Sequence, residues 1–373
     1  MVTRRQSGPV LRVLIAVPDL TSGGGIANYF ATARANFGAE VTFITRGSGG
    51  VRAGPAARLV RILRDYLHFA RQLVRVRPDL VHQNTSFGRV GLLRDGVTLV
   101  IARLLRRPVL VFFHGWDRAL AQALSGVGLW LLGRVYFSAD AIIVHAAEMS
   151  EQLKRWGYPG RVFVETQLVD ERLIDQAGAA SPGGGEPFRI LFLARVERDK
   201  GVLETVRAVD ILHRRGHRVH LVVAGRGSAL AEARALAATL GCADQIRFVG
   251  HVEGDDKRRL FAEAHAYVLP TAHQEGMPHS LMEAIASGLP VVTRPIGGIR
   301  DLFQQGQMGW MTESRDPGDL ADLIERLIRD EPVRQAMGAF NRRLARERLA
   351  SPAVVARLEA IYRWIVNGDA GSR

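Results

Sequence analysis

The sequence predicts two α/β domains in tandem, each a doubly wound parallel sheet with helices on both faces. Three observations predict it. Short runs rich in Val, Ile, Leu and Phe alternate with longer helix-like stretches along most of the chain. The alternation breaks over residues 171–187, where Gly, Ala, Ser and Pro dominate, and then restarts. A chain of 373 residues also exceeds what one small core organises, so two domains are the natural division.

In the first half, residues 11–17, 40–45, 79–83, 108–113 and 140–144 read as buried strands. They are too short for independent helices, rich in β-formers, and bounded by Gly, Pro or Asp. The stretches between them suit crossover helices. One of these, residues 58–76, has a helical repeat. Leu59, Ile62, Leu63, Tyr66, Phe69, Ala70, Leu73 and Val74 fall on one face, and Arg61, Arg64, His68, Arg71 and Arg75 gather opposite. The small-residue stretch reads as a linker. In the second half, residues 189–194, 218–224, 245–249, 266–270 and 290–293 repeat the strand pattern, and a last helical stretch covers 352–366.

The bulk properties bound the function. The formal charge is +13, and it is unevenly placed. Residues 1–170 hold 22 Lys and Arg against 11 Asp and Glu, whereas the remainder holds 28 against 26. The first half is therefore expected to face something anionic, either membrane headgroups or a phosphate-linked acceptor met by Arg61, Arg64, Arg71 and Arg75. A solvated basic helix face is the plainer alternative. No nucleic-acid motif accompanies the charge. The single Cys242 allows no internal disulfide. No apolar signal-peptide core follows Arg4-Arg5, and no apolar run reaches membrane-spanning length. These features predict a cytoplasmic protein, with peripheral attachment to the inner membrane face left open.

Residues 275–284 carry the most chemistry. Glu275 follows an apolar run ending at Thr271, and Glu283 lies within a helix-like stretch that stops at Gly288-Leu289-Pro290. Pro suits a helix start, and Gly followed by Pro suits a helix end. The order is strand, loop, helix. The helix start near Pro278 offers unpaired N–H groups to a phosphate. One carboxylate beside an anion site and a second further along suit a ligand with a diphosphate in the middle and a sugar at each end.

The run Glu275-Gly276-Met277-Pro278 to Glu283 resembles the donor-site signature of retaining glycosyltransferases of family 4, nucleotide-sugar enzymes on the GT-B fold. Other matches follow in the expected order over residues 11–312. Arg195 and Lys200-Gly201 look like the family's basic couple for the donor diphosphate. Gly225 lies in a matching turn after the next strand, and Gly297-Gly298-Ile299 in a later one. Gly23-Gly24-Gly25 and His114-Gly115 match loops that border the family's cleft. Arg226 departs from the acidic or small residue often found there. The resemblance implies an acceptor-side domain at 1–170, a linker at 171–187 and a nucleotide-sugar domain at 188–350. It also implies a helix at 351–373 crossing back to the first domain, with the two Rossmann-like domains facing across a cleft.

Roles follow from the resemblance. Arg195 and Lys200 stabilise the leaving diphosphate. Gly225, Gly276, Met277 and Pro278 line the donor, and Glu283 accepts from the ribose hydroxyls. Glu275 faces the transferred sugar, where front-face and double-displacement routes both remain open. His114 lies near that sugar, and Gly23, Gly24 and Gly25 let backbone amides approach. His251 borders the base, and His145 and Glu148 the acceptor. The expected activity is retaining transfer from a nucleoside-diphosphate sugar to a glycan or lipid-linked glycan. No Asp-x-Asp motif stands near a strand end, so neither an essential metal nor a cofactor is expected. Two rivals are a GT-B epimerase or phosphorylase and a non-enzymatic basic scaffold on membranes or nucleic acid.

Overall fold

The computed structural model describes residues 10–21, 24–46, 55–175, 187–273 and 276–368. The chain divides into two compact units, Met1–Thr166 with Ser351–Arg373, and Gln167–Ala350. Each holds a six-stranded sheet whose strands all pair in parallel.

The first unit runs β1 (Arg12–Val17), α1 (Gly25–Ala33), β2 (Glu40–Thr45), α2 (Pro55–Val76), β3 (Leu80–Phe87), α3 (Arg89–Leu104), β4 (Val109–Trp116), α4 (Arg118–Ala123), α5 (Gly126–Tyr136), β5 (Ala141–Val144), α6 (Ala147–Arg155) and β6 (Arg161–Val164). The strand order is β2-β1-β3-β4-β5-β6. Inner strands are apolar because helices cover both faces: β5 throughout, and β1 after its exposed first residue, Arg12. The strand β3 extends past the expected end at 83, because His82, Gln83, Asn84 and Thr85 are buried polar residues inside the sheet. The edge strand β6, four residues with only three apolar ones in a row, was not anticipated.

The second unit runs α7 (Glu171–Asp175), β7 (Phe188–Leu193), α8 (Val202–Arg214), β8 (Val219–Ala224), α9 (Leu230–Leu240), β9 (Ile246–Gly250), α10 (Gly254–Glu263), β10 (Ala266–Leu269), α11 (His279–Ala286), β11 (Val291–Thr293), α12 (Gly298–Leu302), β12 (Gly309–Met311), α13 (Pro317–Arg329) and α14 (Glu331–Leu344). Its strand order is β12-β11-β10-β7-β8-β9. The three-residue edge strand β12 was likewise not anticipated. The expected linker at 171–187 is corrected at its start. Residues 171–175 form α7 because Leu173 and Ile174 bury themselves in the core of the second unit. The linker residues 176–186 lie outside the described residues.

The last helix, α15 (Ser351–Val366), packs within the first unit. Glu359 accepts from the N–H groups of Gly38 and Ala39, both at 2.7 Å. Arg357 donates to Glu165 at 3.0 Å, and the Tyr362 hydroxyl meets His82 Nδ1 at 2.7 Å. Among the described residues no helix is long and apolar enough to cross a membrane.

The face expected on α2 needs correction. Phe69 and Leu73 are fully buried, but Leu63 and Val74 are 53% and 58% exposed. The apolar arc of α2 is wider than the strip that the sheet covers, so periodicity alone could not separate its inner from its outer part.

Candidate functional site

In the second unit the basic pair follows β7. Arg195 is exposed and Lys200 is buried. Residues Arg198–Lys200 form one tight turn, and Gly201 then takes φ 82° to start α8. A Cβ on Gly201 would lie 2.6 Å from Pro270, so only Gly lets this turn press against the end of β10. The Asp199 carbonyl accepts from the N–H groups of Ala272 and His273, at 2.7 and 2.9 Å. Its carboxylate lies 2.5 Å from His273 Nδ1. The Lys200 turn is thus laced to the segment that leads toward Glu275. Burial, and then the charge of Arg195, push Lys200 down from 10.5 to about 8, with Asp199 opposing. Two cations held close enough to repel each other favour an anion between them.

Gly225 has φ 142°, and its missing Cβ would stand 1.9 Å from the Ala194 carbonyl. Its glycine is therefore required by packing of the turn after β8 against the turn that carries Arg195. Arg226 contributes its carbonyl, which accepts from the Val196 N–H at 2.9 Å.

The helix α11 starts where the sequence places it, with Pro278 as its N-cap. The Tyr267 hydroxyl donates to the Leu193 carbonyl at 2.9 Å and meets Ser280 Oγ at 2.7 Å. One buried side chain thereby ties the start of α11 to the carboxyl end of β7, just before Arg195. The Gly276 carbonyl accepts from Gly298 N–H at 2.7 Å, and Met277 is buried. Glu283, inside the helix, is 5% exposed. Its Oε1 lies 2.5 Å from Lys257 Nζ of α10 and 3.7 Å from His279 Nε2. A buried carboxylate requires such a partner. Lys257 was not found from the sequence, because it sits among the charges Asp255, Asp256 and Arg258 and only the fold brings it to Glu283. Glu275 lies outside the described residues.

In the first unit polar groups collect at the carboxyl ends of β3 and β4. Asn84 Nδ2 donates to the Ala16 carbonyl at 3.2 Å, which leaves Asn84 Oδ1 as an acceptor for His114 Nε2 at 2.9 Å. His114 must then carry its hydrogen on Nε2 and present a lone pair at Nδ1. Among the described residues that Nδ1 is buried without a partner, and so is the hydroxyl of Tyr29, whose ring centroid is 5.3 Å from that of His114. Burial, and then the charges of His145 and His82, hold His114 well below 6.5. It is a neutral acceptor near pH 7, suited to a hydroxyl donor. Burial also raises the Tyr29 phenol.

Asn84 is itself fixed from behind. Arg46 donates to its carbonyl at 2.7 Å, to the Ala16 carbonyl at 3.3 Å and to Asp95 at 2.9 Å, all buried. Tyr29, Asn84 and Arg46 were missed because an aromatic on α1 reads as core and polar residues in strands carry no motif. Gly24, with φ 95°, is the N-cap of α1, and Gly25 is its first residue; Gly23 lies outside the described residues. His145 meets the Glu165 carbonyl through Nδ1 at 2.7 Å, and its ring centroid lies 5.4 Å from that of His114. Glu148 pairs with Arg118 on the surface, and His251 pairs with Glu253 at 2.8 Å, also exposed.

The Asn84 contact yields a test. Asn84→Leu should lower turnover by about tenfold, the order of one lost buried hydrogen bond, and leave nucleoside-diphosphate affinity unchanged. Asn84→Asp should keep an acceptor but place a negative charge beside the imidazole, raising its pKa. A new pH limb near neutrality in this variant, absent from the wild type, marks the tautomer-setting contact; identical pH profiles would refute it.

Two Rossmann-like units, the second with a basic pair after β7 and a buried carboxylate within α11, are the architecture of the GT-B fold. The chain belongs to the group 1 glycosyl transferases of the family 4 type. Residues 179–344 match the family described as glycosyl transferases group 1, and residues 24–170 match glycosyltransferase family 4. The chain is similar to the glycogen synthase of Mycobacterium tuberculosis, at 30% identity over 74% of this chain and 65% of that protein; it thus spans slightly under two thirds of that relative. It is also similar to the capsular polysaccharide biosynthesis glycosyltransferase CapM of Staphylococcus aureus, at 28% identity over 79% of each. The solved structure of HepE from Anabaena with UDP and glucose shares the fold, with TM-score 0.71 and 17% identity over 94% of this chain and 99% of that one.

Proposed function

We propose that this protein is a retaining, metal-independent glycosyltransferase that moves a sugar from a nucleoside-diphosphate donor to a glycan or lipid-linked glycan. The observation that carries the reading is the Arg195–Lys200 pair, with the Lys200 ammonium destabilised first by its burial and then by the charge of Arg195. A diphosphate relieves that repulsion, and more so as its leaving oxygen gains charge. Two fixed cations supply the charge balance that a divalent metal would otherwise provide.

Glu283 and Lys257 hold the nucleoside end, the carboxylate accepting from the ribose diol. Gly276, Met277 and Pro278 border the diphosphate. His114 Nδ1 accepts from a sugar hydroxyl, with Tyr29 as a second polar contact. In the transfer, the bond from the anomeric carbon to the phosphate oxygen breaks and a bond to the acceptor oxygen forms. The acceptor proton ends on the leaving phosphate, and Glu275 supports the positive charge that develops on the sugar. The UDP and glucose in the HepE crystal structure and the capsular role in the name of CapM support the donor and acceptor classes. The acceptor is placed at the cytoplasmic membrane face, in keeping with the basic first half of the chain.

The test is incorporation of labelled sugar from a panel of nucleoside-diphosphate sugars into glycan and polyprenyl-linked acceptors, with and without a chelator. The expected product keeps the donor's anomeric configuration and forms equally with chelator. Release of free or epimerised sugar alone, inversion, or loss of activity in chelator would each overturn the corresponding part of the reading.

A further inference from the structure

The first unit leaves a broad apolar surface uncovered. Phe69 of α2, Leu99 of α3 and Leu132 of α5 share one core, so the inner arcs of these helices lie on one face of the sheet. Their outer arcs should be polar, yet large apolar side chains stand exposed there among the arginines. On α3 the exposed residues Val90, Leu93, Val97, Val100 and Leu104 recur at steps of three and four, a single stripe along the helix. Leu93 and Leu104 are 77% and 76% exposed. A second stripe, Val60, Leu63, Leu67 and Val74, runs along α2, and Trp130 stands 62% exposed on α5 between Val127 and Leu131. The Tyr66 hydroxyl of α2 donates to the Arg94 carbonyl of α3 at 3.2 Å, and the Tyr136 hydroxyl of α5 donates to the Leu92 carbonyl at 2.8 Å. The three helices are neighbours, so their stripes lie side by side. Contiguous exposed apolar surface of this kind marks an interaction site.

Charge selects the occupant. The three helices carry nine arginines and two aspartates, and one of those, Asp95, is buried against Arg46. Arg64, Arg71 and Arg75 are exposed and fall beside the α2 stripe at helical spacing, and Arg134 lies among the exposed residues of α5. A second copy of the chain packed on this face would set arginine against arginine, which opposes pairing. An anionic bilayer satisfies both features, taking apolar side chains at the boundary of headgroups and acyl chains and arginines at lipid phosphates.

We propose that the outer face of α2, α3 and α5 docks onto an anionic lipid surface, with the leucine and valine stripes and Trp130 entering the interface. Apolar insertion, and not only the arginine face of α2, then carries the attachment. This deepens the reading that the acceptor is presented at a membrane. Vesicle binding is read without donor or acceptor, so its failure leaves the transferase reading intact, and failure of transfer leaves docking intact.

The experiment is co-sedimentation with vesicles of phosphatidylcholine containing phosphatidylglycerol, and with phosphatidylcholine alone. The wild type is expected to sediment with the anionic vesicles and to lose binding to neutral ones. Leu93→Gln with Leu104→Gln should weaken binding by about tenfold or more at low salt. Arg64→Gln with Arg71→Gln and Arg75→Gln should weaken it similarly, and added salt should reproduce only that second loss. Lipids carrying a bromine quencher should quench the emission of the wild type, and Trp130→Phe should abolish most of that quenching. Because the substituted side chains are exposed, melting temperatures should stay unchanged; if a variant unfolds, the quenching of wild-type Trp130 decides. Three results would overturn the proposal: no sedimentation with anionic vesicles, no quenching at Trp130, or a wild-type dimer that Leu93→Gln with Leu104→Gln dissociates.

Discussion

Lys200→Met is expected to weaken nucleoside-diphosphate binding by about 1.5–3 kcal/mol, or roughly 10- to 150-fold, the range for a charge-assisted hydrogen bond. Arg195→Ala should cost a similar amount. The pH dependence separates a ligand role from a structural one. Lys200 titrates near 8 in the folded chain against 10.5 for an unperturbed lysine. Between these values the unfolded chain binds more protons, so folding stability rises with pH across that window. Ligand binding must run the other way. A diphosphate stabilises the ammonium, so affinity is full below about pH 8 and falls as the free enzyme's Lys200 loses its proton. In Arg195→Ala a source of the depression is gone, and the fall in affinity should begin at higher pH. Calorimetry with the diphosphate across pH 6.5–9.5 measures both. PH-independent affinity in the wild type, or unchanged affinity in both variants, would remove the pair from the donor site.

The parts of this molecule that were legible in the sequence share a physical cause. Strands of a doubly covered parallel sheet are largely apolar on both faces, so β1, β5 and β7 stand out as runs. The edge strands β6 and β12 have only four and three residues, too few to stand out, whereas the longer edge strands β2 and β9 were legible. The carboxyl half of β3 hides for the opposite reason, because its buried residues are polar and find their partners on other elements: His82 on Tyr362, Gln83 on Thr98 and the Asp95 carbonyl, and Asn84 on the Ala16 carbonyl and His114. The candidate site divides similarly. Arg195, Lys200 and His114 were visible because each follows or closes a strand-and-turn pattern, and Glu283 because it stands in an otherwise apolar helix between Pro278 and Gly288. Lys257 and Tyr29 were not, because their significance lies in pairing across elements: an ion pair 26 residues apart in sequence, and an aromatic whose hydroxyl, not its ring, is unusual. On α2 the repeat correctly identified a helix but could not reveal how little of its apolar arc the sheet would cover.

The two glutamates should fail differently. Glu283 is buried against Lys257, and Glu283→Gln is expected to weaken binding of the nucleoside diphosphate itself, with no sugar attached, by about 1.5–3 kcal/mol. Lys257→Met should weaken the same ligand, since the carboxylate then loses the partner that fixes its orientation. Glu275→Gln is expected to leave nucleoside-diphosphate affinity nearly unchanged and to lower turnover by about two to three orders of magnitude, the range for loss of one preplaced electrostatic contact to a charge that develops in the transition state. The distinction follows from where charge changes. The ribose diol has the same charge before and during transfer, so its partner contributes to binding in both states, whereas the anomeric carbon becomes positive only as the phosphate leaves. Titration calorimetry with the nucleoside diphosphate and single-turnover transfer with the sugar conjugate read the two effects separately. A Glu275→Gln enzyme that turns over like the wild type would end its assigned role. If both glutamates proved dispensable while vesicle binding by the arginines persisted, the chain would be the basic scaffold that its charge alone suggests.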